Sequence, residues 1–557
     1  MYKLLDVASA EREPTSSSRG ADDDARGVDR VLVVACFLAI AFFLLNIVLF
    51  RYGRDQGIYA VVADTMLRGG APYRDAWDFK PPGIFLIYAG ARAIFGATEH
   101  GIRVVEAFAF ASLVWAFTIL AKRWVGDWRA GLVAGTLAVG TEAQLEFWHT
   151  SQPESFGAVA IAWALVCVTY EPDVEIASGE RKRLGAWVAA GALYTIAALL
   201  KPPLGGGFVV SLVVLVVTRL RAAPRDERAR ALIAPTLAFA VGGAVCLALT
   251  AAYFAAKGAL GDLHETLFVF TPYYTKLGFR PQWLWGFVYM AFEQWSVGFS
   301  AFIAAGLGAF LALPALSSRE RGAAAHVVAI AATQLLGVGL QAKFFPYHYG
   351  AALPLAALLA GLGGWKLWVR ARGSVWGLVL LGIALYVLGD ARGATRDLED
   401  TFWGRSKMRI ATLWSSREAR DETNDALYSV ADVNAGANRR VAEWLASHTP
   451  PDQPVYVWGF EPEIYDLAKR RPASRYVYNV PQRVTWVGGL RERLMDDLAR
   501  KPPSAIVVEH RDVFPAVTGS SYDSADTLSS FPSLATKLRE GYVLAERIED
   551  FDIYVAR

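Results

Sequence analysis

Residues 31–57 read VLVVACFLAIAFFLLNIVLFRYGRDQG, and this stretch decides the solvent in which the chain folds. Between Val31 and Phe50 only Asn46 carries a strongly polar side chain. A helix of that length, rising about 1.5 Å per residue, crosses the roughly 30 Å hydrocarbon core of a bilayer. Arg51-Tyr52-Gly53-Arg54 follows in place of a small-residue cleavage site, so the run reads as an uncleaved first span and not as a signal peptide. The segment before it, with Ser16-Ser17-Ser18 and Asp22-Asp23-Asp24, is polar and aperiodic, and residues 1–28 are expected to form a disordered cytoplasmic tail.

Apolar runs of the same kind recur as far as Gly389: Ile102–Leu120, Ala130–Phe147, Phe156–Tyr170, Leu184–Leu200, Gly205–Leu220, Ala231–Phe254, Trp295–Leu316, Ala323–Leu340, Ala351–Leu367 and Ser374–Gly389. With the first run they predict about eleven transmembrane helices. The composition agrees: 54% of the 557 residues are hydrophobic and the mean hydropathy is +0.29, too apolar for a chain whose whole surface is wetted. Arg and Lys gather in alternate loops, at Lys122, Arg123 and Arg129, at Arg181-Lys182-Arg183, between Arg219 and Arg230, at Arg319 and Arg321, and at Lys366, Arg370 and Arg372. By the positive-inside rule those loops are cytoplasmic, which puts the N-terminus inside and, after an odd number of spans, the region beyond Asp390 outside. The net charge of +3 is small and dispersed and makes no nucleic-acid surface. Cys36, Cys167 and Cys246 each fall inside an apolar run and read as packing residues.

Two outer segments interrupt the spans. Within residues 51–103, Ile84–Phe95 is too short to cross and carries Arg92, so it is expected to lie on the membrane as an interfacial helix. Residues 257–294 place Trp283, Trp285 and Tyr289 at the spacing of a second surface helix. Beyond Asp390, short β-like runs alternate with helical ones. Strands are expected at Pro454–Gly459, Ser474–Asn479, Ala505–Val508, Tyr542–Arg547 and Ile553–Ala556, the last two joined by a turn at Asp550-Phe551-Asp552. Helices are expected at Glu461–Lys469 and Leu490–Arg500. The chain therefore reads as a polytopic α-helical membrane domain, 29–390, followed by a small α/β extracytoplasmic domain, 415–557, which has no glycine-rich phosphate loop.

The chemistry concentrates in the first outer segment. It runs Arg54-Asp55-Gln56-Gly57-Ile58-Tyr59, then Gly69-Gly70-Ala71-Pro72-Tyr73-Arg74-Asp75, then Trp77-Asp78-Phe79-Lys80-Pro81-Pro82-Gly83. Sugar transfer to a hydroxyl needs a carboxylate to draw off the acceptor proton and cations to hold the charge growing on a departing phosphate. Carboxylates, cations and sugar-stacking aromatics alternate here at the lip of a span, although solvated Asp and Arg at a membrane interface have the same look. Lys80 and Lys201 each precede Pro-Pro, where a snorkelling lysine at a helix end is also at home. Glu154 at the start of a span suits the helix dipole equally well.

The order of these pieces resembles the first outer loop of the family-39 glycosyltransferases, the protein-mannosyltransferase and aminoarabinose-transferase group of the C-type glycosyltransferase fold. The likeness rests on an acidic residue just past the first span, Tyr59 four residues later, a Gly/Pro-Tyr turn and Lys80-Pro81-Pro82 before an amphipathic segment. It extends to Glu154 in His149-Thr150-Ser151-Gln152-Pro153-Glu154, to Lys201-Pro202-Pro203, and to Lys343-Phe344-Phe345-Pro346-Tyr347-His348-Tyr349. About the first 390 residues are covered. The resemblance implies a polyprenyl-phosphate sugar donor, transfer with inversion, and Asp55 as the catalytic carboxylate. Many relatives carry two consecutive acidic residues where this chain has Asp55-Gln56, so a second carboxylate is sought in Asp78, Asp75 or Glu154. Lys80, Arg54, Tyr59, Lys201, His348 and Tyr349 are the expected donor contacts.

Two rival functions remain at the sequence level. A lipid or solute transporter calls for related halves and polar residues at the bilayer midplane, and neither pattern is visible. An oligosaccharide ligase uses a polyprenyl pyrophosphate in place of a monophosphate. No cofactor is expected; a divalent metal would have to recruit His264 with Glu265, His149 or His348, none at zinc-ligand spacing. Ala- and Arg-rich usage points to a bacterial cytoplasmic membrane.

Overall fold

The computed structural model describes residues 16–169, 177–222, 224, 228–279, 281–296, 299–312, 317–390, 402–430, 433–484 and 488–557. Helices dominate as far as residue 390: α1 (Ser16–Leu49), α2 (Arg54–Leu67), α3 (Gly83–Phe95), α4 (Glu99–Val125), α5 (Trp128–Gln144), α6 (Glu146–His149), α7 (Pro153–Val168), α8 (Ala177–Leu200), α9 (Gly206–Ala222) and α10 (Arg228–Ala256). After them come α11 (Leu260–His264), α12 (Thr271–Lys276), α13 (Trp283–Ser296), α14 (Phe299–Ala312), α15 (Ser318–Gln341), α16 (Ala352–Ala371) and α17 (Val375–Asp390). Among the described residues, each apolar run of the sequence is mainly helical. Among the described residues, seven helices, α1, α4, α8, α9, α10, α15 and α16, are long and apolar enough to cross a membrane. The runs in α5, α7, α14 and α17 are 14 to 17 residues long; at about 1.5 Å per residue they fall short of a ~30 Å core, so the expected number of spans is not reached by length alone. The run Trp295–Leu316 is divided: Trp295 ends up in α13, and α14 starts at Phe299.

Local chemistry sets these boundaries. A left-handed Gly126 (φ 80°) ends α4 after Lys122 and Arg123, and the Asp127 carboxylate accepts the Arg129 N–H at 3.0 Å to start α5. Ser317 and Glu320 form a reciprocal capping box at the start of α15. Small residues bring helices together in apolar surroundings. A Cβ on Gly191 would stand 1.9 Å from the Phe239 carbonyl oxygen, and one on Gly242 would stand 1.9 Å from that of Val188, so α8 and α10 cross backbone to backbone. The centre of the bundle is α16, buried from Ala352 to Gly363 against α5 and α14.

Beyond the bundle an amphipathic helix, Phe402–Ala411, lies along α1. Its Arg409 donates to Asn46 Oδ1 at 3.0 Å and to Glu146 at 2.6 Å, which explains the single polar side chain of the first apolar run. The C-terminal unit carries four strands, β1 (Val455–Trp458), β2 (Ala505–Glu509), β3 (Tyr542–Ile548) and β4 (Phe551–Ala556), in the order β1-β2-β4-β3. β1 and β2 are parallel, and β4 runs antiparallel to both β2 and β3. One apolar core runs from α2 and α3 into this unit, with Tyr59, Trp77 and Phe85 packed in the same cluster as Val457 and Ile506.

Four expectations change. The polar stretch from Ser16 is helical where disorder was expected, because a helix already nucleated by the apolar run extends one residue at a time at little cost; residues 1–15 lie outside the described residues. The turn before β4 is Glu549-Asp550, with Glu549 at φ 47°, and Phe551 already belongs to the strand. Ser474–Asn479 is not a strand of the sheet: it runs beside the first outer segment, where the Trp77 N–H donates to the Arg475 carbonyl at 2.7 Å. In α3, Arg92 is buried against Asp64 and Asp466, so its charge faces protein rather than lipid headgroups. The apolar side chains Leu86, Ile94 and Phe95 of that helix are the exposed ones.

Candidate active site

Asp55 stands in the first turn of α2, where carboxylates suit the positive end of a helix. The Gln56 side chain turns back to accept the Gly53 N–H at 3.0 Å and fixes that helix start. Lys80 is delivered by a tight turn in which Tyr73, at φ 69°, donates its N–H to Ala76 and its hydroxyl to the Lys80 carbonyl at 2.9 Å. Asp75 is spent inside that turn, on the Ala71 N–H and the Arg74 guanidinium, and points away from the site.

The Lys80 ammonium lies 3.5 Å from Asp55 Oδ1 and 3.8 Å from Asp78 Oδ2, over the rings of Phe79 and Tyr59 at 4.9 and 5.1 Å. Burial alone would lower the Lys80 pKa, but Asp55 and Asp78 more than offset it and hold the ammonium above the ordinary lysine value. Asp78 is fully buried, and burial pushes its carboxyl up in spite of Lys80 and a 2.7 Å hydrogen bond from the Tyr478 hydroxyl. The other Asp55 oxygen accepts from Gln152 Nε2 at 3.3 Å. Gln152 is itself fixed, its second N–H given to the Trp148 carbonyl and its oxygen accepting the Tyr59 hydroxyl at 2.9 Å.

A second ion pair joins Lys201, at the break between α8 and α9, to Glu154 in the first turn of α7. Burial lowers the Lys201 pKa, and Glu154 compensates only in part. Glu154 Oε2 is buried with no hydrogen-bond partner in the described structure. His348 is half-buried and held neutral, well below the usual histidine value, by desolvation and by Lys201. Its Nδ1 meets the Lys343 carbonyl, which leaves Nε2 as an acceptor. His149 is pushed down to about 4 by burial, and its Nε2 accepts from Trp148. Among the described residues no three His, Cys, Asp or Glu side chains converge as metal ligands; His264 stacks on Phe268, and Glu265 pairs with Arg493.

Some of these groups close one end of a cavity of about 480 Å³, whose lining does not include Asp55 or Asp78. Lys80, Glu154, Lys201, Lys343, Tyr347 and His348 line its polar end, and Leu199, Leu247, Ala251, Leu260, Leu263, Leu267 and Phe268 line the rest. Asp55 stands directly behind Lys80, and the Tyr347 side chain bonds to it.

Of the residues the sequence singled out, Asp55, Asp78, Lys80 and Tyr59 share one cluster, and Glu154, Lys201 and His348 share the neighbouring one. Two lie elsewhere. Arg54 turns to the C-terminal unit, donating to Glu461 at 3.0 Å beneath the Phe460 ring. There Asn438 bridges Glu461 and Glu463, and burial beside Glu461 pushes Glu463 up to about 8. The buried Tyr349 donates to the Phe287 carbonyl, so it is Tyr347 that reaches the cavity. Sequence reading missed Gln152, Tyr347, Lys343 and Tyr478. The first three sit inside motifs it had quoted, but Tyr478 had no local signal at all.

No family model and no curated protein sequence matches the chain. Among solved structures it is similar to ArnT from Cupriavidus metallidurans in the apo state, with a TM-score of 0.59 at 17% identity over 94% of this chain and 97% of that one. It is also similar to the same protein bound to undecaprenyl phosphate, with a TM-score of 0.55 at 15% identity and the same coverage. At such identity the likeness is one of fold: the chain is an integral membrane protein with the C-type glycosyltransferase fold.

Proposed function

We propose that this protein transfers a monosaccharide, with inversion, from a polyprenyl-phosphate carrier to an acceptor on the non-cytoplasmic face of the membrane. The observation that carries the reading is the cavity: an apolar channel that ends at two half-buried ammonium groups with carboxylates beside them. An isoprenoid tail suits the Leu and Phe walls, and a phosphate monoester suits the Lys80 and Lys201 end. A fold neighbour binds undecaprenyl phosphate, which supports this choice of carrier. Asp55 is assigned as the base that takes the acceptor proton while the sugar's anomeric carbon leaves the phosphate oxygen. Lys80, with Lys201, takes up the charge on the departing phosphate. The neutral His348 offers Nε2 to a sugar hydroxyl, since an acceptor lone pair repels phosphate oxygens. Asp78 and Glu154 hold the two lysines.

The test is transfer by purified protein across a panel of polyprenyl-phosphate sugars. One member of the panel is expected to give product with the configuration at the anomeric carbon inverted; polyprenyl pyrophosphates as the sole donors would favour the ligase reading, and product of retained configuration would remove Asp55 from its role. The orientation rests on the basic loops, and a reporter active only outside the membrane, fused after Arg557, is expected to be active. A silent fusion would put the site on the wrong face for this reaction.

A further inference from the structure

Asp78 takes its side-chain hydrogen bond from a residue 400 positions further along the chain. Tyr478, 1% exposed, lies in the segment that runs beside Trp77, with its ring 6.0 Å from the Trp77 ring and 5.3 Å from that of Phe460. The next residue, Asn479, donates its N–H to the Gly459 carbonyl just beyond β1. The tyrosine is thus clamped between the first outer segment and the sheet, and its hydroxyl is aimed at Asp78 Oδ1. The other oxygen, Oδ2, has no hydrogen-bond partner in the described structure and faces Lys80.

We propose that Tyr478 is a positioning residue of the transfer site, holding Asp78 as a carboxylate so that the Lys80 ammonium stays divided between Asp78 and Asp55. This rests on the function proposed above. If Asp78 took a proton, Asp55 would become the sole anionic partner of Lys80; a carboxylate locked to an ammonium is a poorer base, and an ammonium locked to a carboxylate is less free to meet phosphate. The groups facing Asp78 are Lys80, Asp55 and the tyrosines Tyr59, Tyr73, Tyr274 and Tyr478. Burial drives Asp78 toward the neutral form, and Lys80 and the Tyr478 hydroxyl are the side chains that oppose it. Burial also pushes Tyr478 itself far above the ordinary tyrosine value, so it remains an O–H donor throughout the working pH range. The C-terminal unit thereby takes part in the chemistry through a single hydroxyl.

The sign of the pH effect follows. Transfer is faster with Asp78 ionised, so activity falls to a lower residual level as pH drops through its pKa, and loss of a donor that favours the ion moves that acid limb upward. Tyr478→Phe is expected to shift the acid limb of kcat/KM to higher pH by about one unit, a roughly tenfold loss at any pH on that limb. Activity at the alkaline plateau is expected to change little. Tyr456→Phe, which removes a buried hydroxyl of the same unit that has no hydrogen-bond partner among the described residues, serves as the folding control. In an Asp78→Asn background, Tyr478→Phe is expected to have no further effect. An unmoved acid limb, or the same fractional loss with and without Asp78, would overturn the proposal while leaving the transferase reading intact. Wild-type protein that turns over no polyprenyl-phosphate sugar would overturn both.

Discussion

Asp55→Asn is expected to abolish transfer, by roughly 10² to 10⁴ in turnover, with normal abundance and donor binding. The substitution keeps the shape of the side chain, and its amide oxygen can still accept from Gln152, so the start of α2 and the loop before α7 have little reason to move. Asp55 is also partly exposed, at 19% of its side chain, so no deeply buried charge is stranded by the change. What is lost, on the proposed function, is the lone pair that takes the acceptor proton. A merely structural Asp55 makes the opposite forecast: transfer per folded molecule stays near normal, and only the amount of protein changes. Measuring specific activity and abundance on the same preparation separates the two, and near-normal specific activity would remove Asp55 from the mechanism.

Lys80→Met is the companion experiment, expected to lower turnover by about 10² or more with a smaller effect on donor affinity. In the proposed reaction the charge on the phosphate grows as the sugar leaves, so an ammonium at the head of the cavity would stabilise the transition state more than the bound donor. Methionine fills the space over Tyr59 and Phe79 without the charge. It also leaves the buried Asp78 with no cation beside it, which costs stability on the order of 1–3 kcal/mol unless Asp78 takes up a proton. Lys80→Arg is expected to recover stability better than turnover, because a planar guanidinium cannot occupy the point between two carboxylates that an ammonium does. Full turnover in Lys80→Met would assign the phosphate to Lys201 or Lys343 instead.

Much of this arrangement is legible in the sequence, for reasons of length scale. The apolar runs are a local signal, long compared with a helical turn, and among the described residues each is mainly helical, one of them divided between two helices. The first outer segment is compact, so Asp55, Asp78 and Lys80 could be grouped by nearness along the chain. Helix α2 itself was missed, because its buried face is filled by Ile58, Tyr59, Val61 and Val62 with almost no polar stripe to betray a period. Arg54 and Tyr349 were misplaced for a related reason: adjacent residues on a helix or turn point in different directions, and a motif does not say which one faces the cavity. Ser474–Asn479 has the composition of a strand, yet it pairs with Trp77 instead of the sheet, and only the tertiary fold could reveal that. Tyr478 is the extreme case, since nothing within hundreds of residues announces its partner.

The order of strands carries a consequence for synthesis. β4, made of residues 551–556, sits inside the sheet between β2 and β3, not at its edge. While the chain emerges, β2 and the helix Leu490–Arg500 are present long before the strand that covers β2, so the sheet can close only once the last strand has been made. The segment bearing Tyr478 is anchored to that sheet next to β1. Every bundle helix, both lysines and Asp55 can therefore be in the membrane with the site still unfinished. On the proposed function, a nascent chain would carry the cavity well before it carried the complete site, so premature transfer by half-made protein would be disfavoured by topology alone.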